Sequence, residues 1–190
     1  MCRYFWFPQT YPYENDCNIM YLKISERGKT MSILLTRVDF RLIHGQVITR
    51  WLTQLQVNEI VTVDTTLSND DFMQDVFKMA APRGVKIRII SVEEAVKAQQ
   101  NNEFEKNRIM ILFKNVQELD NAVRAGLKLG EVQIGGLGGG PGRKAVNNAI
   151  TLDRTDADIL LALEKMGIKI YLQTTPDYPS LSLQKAVAKL

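Results

Sequence analysis

Short apolar runs alternate along this chain with stretches whose apolar residues recur at helical spacing. Ile33-Leu34-Leu35 reads as a buried strand, the first of several brief continuous apolar runs of the kind a parallel sheet requires. Val47, Ile48, Trp51, Leu52 and Leu55 then fall on one helical face, which predicts a helix over about 45–56 and makes 37–46 a strand-to-helix loop. The alternation continues with a strand at 59–63. A second helix carries Phe72, Val76, Phe77 and Met79, with Ser68 or Asn69 as its cap; it must stop before Pro82, whose ring lacks an N–H. A third strand follows at 85–90. Ser91-Val92-Glu93-Glu94 has the capping-box form and opens a third helix. Beyond the polar connection at 101–106 come a strand at 108–113, a helix at 116–125 and a short strand at 132–134. Residues 149–152 form a candidate edge strand. Thr155 is the expected cap of a helix lined by Ile159, Leu160, Leu163 and Met166 and ended by Gly167. A last strand at 168–172 and a closing helix at 183–190 complete the series. Seven strand candidates alternating with helices imply βαβ units, hence an α/β domain with a mostly parallel sheet and helices on both faces.

Composition adds little to this picture. A chain of 190 residues with 45% hydrophobic and 24% charged positions is ordinary for one globular domain, and a net charge of +3 is too small to argue for nucleic acid. No stretch approaches the roughly 18 to 20 apolar residues that span a bilayer, so the expectation is a soluble protein. Residues 1–30 differ from the rest. They hold seven of the fifteen aromatic residues (Tyr4, Phe5, Trp6, Phe7, Tyr11, Tyr13 and Tyr21) and both cysteines, with no sustained periodicity. They lack the basic start, apolar core and small-residue site of a signal peptide. They are expected to be an irregular extension upstream of a domain beginning at Met31; the alternative is an aromatic arm that packs on a partner. Cys2 and Cys17, without nearby histidines, make neither a zinc site nor a secreted disulfide framework, and a reduced cytoplasmic setting follows.

The candidate chemistry gathers between residues 36 and 47. This stretch contains the one histidine of the chain, His44, with Arg37, Asp39 and Arg41 before it and Gly45 and Gln46 after it. An imidazole titrates near neutral pH and has a nitrogen able to attack phosphorus, while a guanidinium binds phosphate oxygens in pairs and keeps its charge. In open α/β sheets, ligands sit outside the carboxyl ends of strands, beside helix N-termini that attract anions. Arg41 and Arg37 are therefore expected as charge stabilisers, Gly45 and Gln46 as hydrogen-bond donors, and Asp39 as the group that orients Arg41 or the imidazole. A lone hydrogen-bonded histidine with solvated arginines is the ordinary alternative. Two further stretches are candidates for the rim. Asp64 and Thr65 end the second strand and serve equally well as a capped turn. Gly135 and Gly136 open a run holding six of the twelve glycines, closed by Arg143 and Lys144; it matches neither a Walker A nor a dinucleotide fingerprint. Exposed His44 beside Arg37, Arg41, Arg50 and Arg143 on a convex rim is the arrangement anticipated.

Residues 37–51, Arg-Val-Asp-Phe-Arg-Leu-Ile-His-Gly-Gln-Val-Ile-Thr-Arg-Trp, closely resemble the active-site segment of the IIB components of the mannose/fructose/sorbose family in the bacterial phosphoenolpyruvate-dependent sugar phosphotransferase system. The likeness extends over 31–190, through Leu67-Ser68-Asn69-Asp70, Met79-Ala80-Ala81-Pro82-Arg83-Gly84-Val85 and Ile134-Gly135-Gly136-Leu137. Family members often carry Asn-Asp where this chain has Asp64-Thr65. The resemblance implies an open, mostly parallel seven-stranded sheet. It also implies that His44 accepts a phosphoryl group from a histidine of the IIA component and passes it to a sugar entering through the membrane IIC and IID components. No cofactor or metal is called for, and a peripheral cytoplasmic location is implied. A homodimer through an apolar sheet edge or the aromatic arm is open, as is the sugar: mannose, fructose, sorbose or an amino sugar such as N-acetylgalactosamine. Two rival functions remain. A histidine phosphatase or mutase would need Arg-His-Gly and a second histidine, which this chain lacks. A non-catalytic phosphate-binding module would use His44 as a contact alone.

Overall fold

A computed structural model describes residues 33–190; the expectations for 1–30 lie outside them. Six strands pair in parallel: β1 (Ile33–Asp39), β2 (Glu59–Val63), β3 (Lys86–Ile90), β4 (Ile109–Phe113), β5 (Glu131–Gly136) and β8 (Lys169–Leu172). The two-residue β9 (Leu181–Ser182) closes one edge in antiparallel register, giving a seven-stranded sheet in the order β3-β2-β4-β1-β5-β8-β9. The remaining strands, β6 (Lys144–Asn147) and β7 (Ile150–Leu152), form a separate antiparallel hairpin. Seven was therefore the right number with one wrong member. The apolar run at 149–152 belongs to the hairpin, and its place in the sheet is taken by β9, which is too short to leave a pattern.

The helices divide between the two faces. A π-helical turn (Val47–Leu52) running into the short α1 (Thr53–Leu55) covers one face and contributes Val47, Trp51, Leu52 and Leu55 to a core with Leu35, Ile60, Met110 and Leu112. On the same face lies α2 (Asp71–Met79), which turns Phe77 toward the sheet but leaves Phe72 and Met79 exposed. The opposite face carries α3 (Val92–Gln100), α4 (Val116–Arg124), α5 (Arg154–Lys165) and α6 (Leu183–Val187), packed over Val38, Val61, Ile111 and Ile134. Because the chain leaves β1 over one face and β4 over the other, a crevice opens at the carboxyl ends of these neighbouring central strands. None of the helices among the described residues is long and apolar enough to cross a membrane.

Local signals set most helix starts. Ser91 and Glu94 make the anticipated reciprocal capping box, with Ser91 Oγ accepting from the Glu94 amide at 3.2 Å and the Glu94 carboxylate from the Ser91 amide at 2.8 Å. Two caps differ from expectation. Asp70 rather than Ser68 or Asn69 caps α2, and Asp153 rather than Thr155 caps α5. In both, the aspartate is the last extended residue before the helix, so its carboxylate reaches the free amide three positions on. Replacing Ser91 by Ala should lower stability by about 1 kcal/mol. A urea midpoint unchanged from the parent would show that the box contributes nothing.

Candidate active site

The site is built from the inside outward. Strand β1 runs four residues beyond its apolar opening, because β4 and β5 pair with it on both sides as far as Val38 and Asp39 respectively. Arg37 and Asp39 are thus strand residues, not loop residues, and alternation points both to the face of Leu35. Neither side chain has any exposed surface. The Arg37 guanidinium donates from Nη2 to Asp39 Oδ2 at 2.8 Å and from Nε to the same oxygen at 3.3 Å. It also donates to Gln133 Oε1, to the Gln173 carbonyl at 3.1 Å and to the Thr174 carbonyl at 3.0 Å. The Trp51 ring lies 5.7 Å from it. The anticipated place of Arg37 on the rim is therefore corrected: it lies behind the site, holding Asp39.

Two glycines make room for this pair. Between Val38 and Asp39 the register with β5 slips by one residue, leaving Gly135 as a bulge. A Cβ on Gly135 would come within 1.8 Å of the Arg37 guanidinium carbon, and one on Gly136 within 2.9 Å of Asp39 Oδ1. Gly135 and Gly136 were candidates for the rim of the site. They are instead buried strand residues whose missing side chains accommodate Arg37 and Asp39.

Asp39 carries the loop above it. Its Oδ2 lies 3.1 Å from His44 Nε2, and its Oδ1 accepts from the Arg41 amide at 3.2 Å and pairs with Arg41 Nε at 3.6 Å. The loop turns at Leu42, whose amide donates to the Asp39 carbonyl at 2.9 Å and whose φ of 52° is left-handed. That conformation is costly for a branched side chain, and burial of Leu42 and Ile43 in the core holds it. The π-helical turn follows at once, a geometry found often at functional sites; Ile48 donates to the His44 carbonyl at 3.0 Å, and Thr49 Oγ1 to that of Gly45 at 2.8 Å. The His44 side chain is only 15% exposed, so it is mostly covered and not the exposed residue anticipated, whereas Arg41 is 37% exposed and bonds Gln46 Oε1 at 3.2 Å.

Burial acts against both buried charges, with different outcomes. It pushes the Asp39 carboxyl up, but the hydrogen bond with His44 and the charge of Arg37 outweigh it, and the group stays below its usual range. At Arg37 burial prevails over Asp39 and the guanidinium is lowered from its usual value; the group starts so high that it remains charged at neutral pH. Asp39 is accordingly an ionised acceptor. Its partner Nε2 is therefore the donor of this contact, and in a neutral imidazole the lone pair then lies on Nδ1.

The other candidates separate from this centre. Asp64 is buried and accepts from the Leu67 amide at 2.8 Å, while Thr65 Oγ1 accepts from the Val92 amide at 3.4 Å and its carbonyl from Ser68 and Asn69; both hold the turn after β2. Arg143 is drawn to Asp153 at 2.7 Å and Asp156 at 2.5 Å, tying the hairpin to the start of α5. Its charge is spent there, not offered to a phosphate. Arg50 is largely exposed and pairs with Asp177 at 3.5 Å across a shallow hollow of about 640 Å³ lined by Gly45, Gln46, Thr49, Thr175 and Tyr178. A Cβ on Gly45 would meet nothing, so the fold leaves the space above it open. Sequence reasoning missed Gln133, Trp51 and the carbonyls of Gln173 and Thr174. Gln133 had a signal: it is a polar residue flanked by Val132 and Ile134 in a strand that both faces bury.

The fold and this loop define a doubly wound α/β protein with a carboxylate-backed histidine at the carboxyl edge of its first strand. Residues 33–190 match the family described as PTS system sorbose subfamily IIB component, and the chain belongs to that family, the phosphoryl-transfer IIB components of the sorbose/mannose type. It is 33% identical over 153 residues to the sorbose-specific EIIB component of Klebsiella pneumoniae, covering 80% of this chain and 93% of that one. It is 31% identical over 160 residues to the mannose-specific EIIAB component of Escherichia coli K12, covering 84% of this chain and 50% of that protein. The crystal structure of the IIBSor domain of the K. pneumoniae sorbose permease superposes with a TM-score of 0.76 at 31% identity, covering 84% of this chain and 98% of that one.

Replacing Asp39 by Asn should cost about 3–5 kcal/mol at neutral pH, since it leaves Arg37 buried without its counter-ion. Because the Asp39 carboxyl is held below its usual value, its contribution is complete above the unfolded pKa of about 3.9 and is lost as pH falls through the lower folded value. The gap between parent and Asp39→Asn should therefore narrow below about pH 4. Urea midpoints at several pH values measure it, and a gap constant with pH would contradict the assignment. Gly135→Ala should destabilise even more plainly, since the methyl group and the guanidinium claim one space. A normal melting temperature for that variant would refute the packing described.

Proposed function

We propose that His44 Nδ1 carries the phosphoryl group of a sugar phosphotransferase system, taking it from a phosphohistidine of a IIA component. The observation that carries this reading is the 3.1 Å contact between His44 Nε2 and the ionised Asp39. As Nδ1 attacks phosphorus, an N–P bond forms while the donor's N–P bond breaks and its electron pair returns to the donor imidazole. Positive charge then develops on the His44 ring and is met at Nε2–H by Asp39, which Arg37 keeps ionised. Arg41, exposed beside the ring, meets the equatorial phosphoryl oxygens, with Gln46 orienting it and the open space above Gly45 admitting the group. In the second transfer a sugar hydroxyl oxygen attacks phosphorus and the Nδ1–P bond breaks. The hydroxyl proton passes to the departing imidazole and then to solvent.

The partners proposed are a IIA component as donor and membrane IIC and IID components that present the sugar, with this chain at the cytoplasmic side of the membrane. The name of the mannose-specific E. coli relative, an EIIAB component, couples the A and B parts and supports the first. No cofactor enters this scheme.

Intact-protein mass, taken in alkali after incubation with phosphoenolpyruvate, enzyme I, the histidine phosphocarrier and a family IIA component, tests the reading. The expected result is a gain of one phosphoryl group, lost in mild acid and absent in His44→Ala. Arg41→Ala should keep the fold and slow transfer by about 10²–10³-fold. Failure of the parent chain to gain mass from several phosphorylated IIA components would overturn the carrier role, and an unchanged rate in Arg41→Ala would remove that residue from it.

A further inference from the structure

Three register mates make a polar row across one face of the sheet. Arg37 on β1 lies opposite Gln133 on β5, and Gln133 opposite Tyr171 on β8. Gln133 has no exposed surface. Its carboxamide oxygen accepts from Arg37 Nη1, and its nitrogen donates to Tyr171 Oη at 3.2 Å and Gln173 Oε1 at 3.3 Å. The amide can face no other way, because a guanidinium offers donors alone. With Gln133 in place, all five N–H groups of Arg37 have acceptors. Nε and one Nη2 proton go to Asp39, the other Nη2 proton to the Thr174 carbonyl, and the two on Nη1 to Gln133 and the Gln173 carbonyl.

We infer that Gln133 is a positioning residue for phosphoryl transfer, holding the Arg37 guanidinium from behind so that its front edge stays on Asp39 and Asp39 keeps His44 as the Nε2–H tautomer. The inference rests on the carrier reading of His44. The guanidinium is planar and rigid, so an anchor at Nη1 fixes the direction of Nε and Nη2 on its opposite side. The carboxylate they hold makes the direct contact with the imidazole. Glutamine suits this position for a physical reason. It accepts without charge, whereas a carboxylate would compete with Asp39 for the cation, and an apolar side chain would leave an N–H unpaired in a dry interior. Tyr171 and Gln173 occupy the amide nitrogen and prevent the flip that would turn a donor toward Arg37.

The chain has one histidine, so the ¹⁵N spectrum of histidine-labelled full-length protein reports His44 without assignment. The parent should show the Nε2–H tautomer. Gln133→Met keeps the length and removes both polar atoms; Arg37 retains Asp39 and two backbone carbonyls, and the fold should survive. Its His44 signal should move toward a tautomer mixture, and transfer from phosphorylated IIA should slow on the order of 10- to 100-fold, the range typical of outer partners of a working side chain. The loss should fall on kcat with KM for the donor unchanged, because Gln133 is far inside any docking surface. If Gln133→Met does not fold, Gln133→Asn, smaller and still polar but too short to reach Arg37, provides the same test. A folded variant with parental tautomer and rate overturns the inference, as does a rate loss that falls equally on KM with an unaltered tautomer. If the parent accepts no phosphoryl group, the carrier reading fails. The tautomer comparison still decides whether Gln133 holds His44.

Discussion

Arg37 is a charged side chain without solvent, and the structure around it is arranged to satisfy that charge. Desolvating a guanidinium and a carboxylate together is expensive unless their remaining donors and acceptors are paired. Here Asp39 takes two Arg37 donors, and Gln133 with the carbonyls of Gln173 and Thr174 takes the others. Gly135 and Gly136 yield the volume in which the pair lies. Trp51, reaching from the π-helical turn, shares the Thr174 carbonyl at 3.2 Å and covers the guanidinium. The histidine loop, the first helical segment and the chain leaving β8 are all fastened to one ion.

This arrangement divides the work of two arginines that look equivalent in sequence. Arg37 faces inward and compensates Asp39. Arg41 contacts the same carboxylate from outside and keeps surface exposed to solvent. A buried charge of this kind adds little net stability, and its value lies in fixing one geometry where an apolar core would allow several. The imidazole thereby has its Nε2 fixed against an ionised carboxylate. Preorganisation of that sort is where catalytic sites derive much of their rate.

Much of the fold was legible from local pattern. The strand at 59–63 and the capping box at Ser91 were read from periodicity and cap chemistry alone, since both depend on residues near one another in sequence. The errors share a cause. The ends of β1 and β5 were placed too early because Arg37, Asp39, Gly135 and Gly136 are poor strand residues by composition; strand pairing on both sides overrides that preference. The hairpin partner β6 and the edge strand β9 left no signal because they are only four and two residues long. Asp70 and Asp153 outdid the nearby hydroxyl and amide residues as caps because position in the turn, not residue type, selects among adequate candidates.

The amino-acid order by itself determined the α/β alternation, the chemical nature of the reactive loop and its resemblance to the IIB family, because these rest on spacing and residue type within a few turns of chain. The tertiary structure alone decided which arginine is buried against the carboxylate and which keeps exposed surface. It also decided that the two glycines ending β5 make space for Arg37 and Asp39, and that Arg143 is tied to α5. The first two depend on residues about a hundred positions apart meeting across a sheet, as Arg37 meets Gln133, and burial there reverses the meaning that a charged residue has in solution; the third depends on the turn that brings Arg143 back to Asp153 and Asp156.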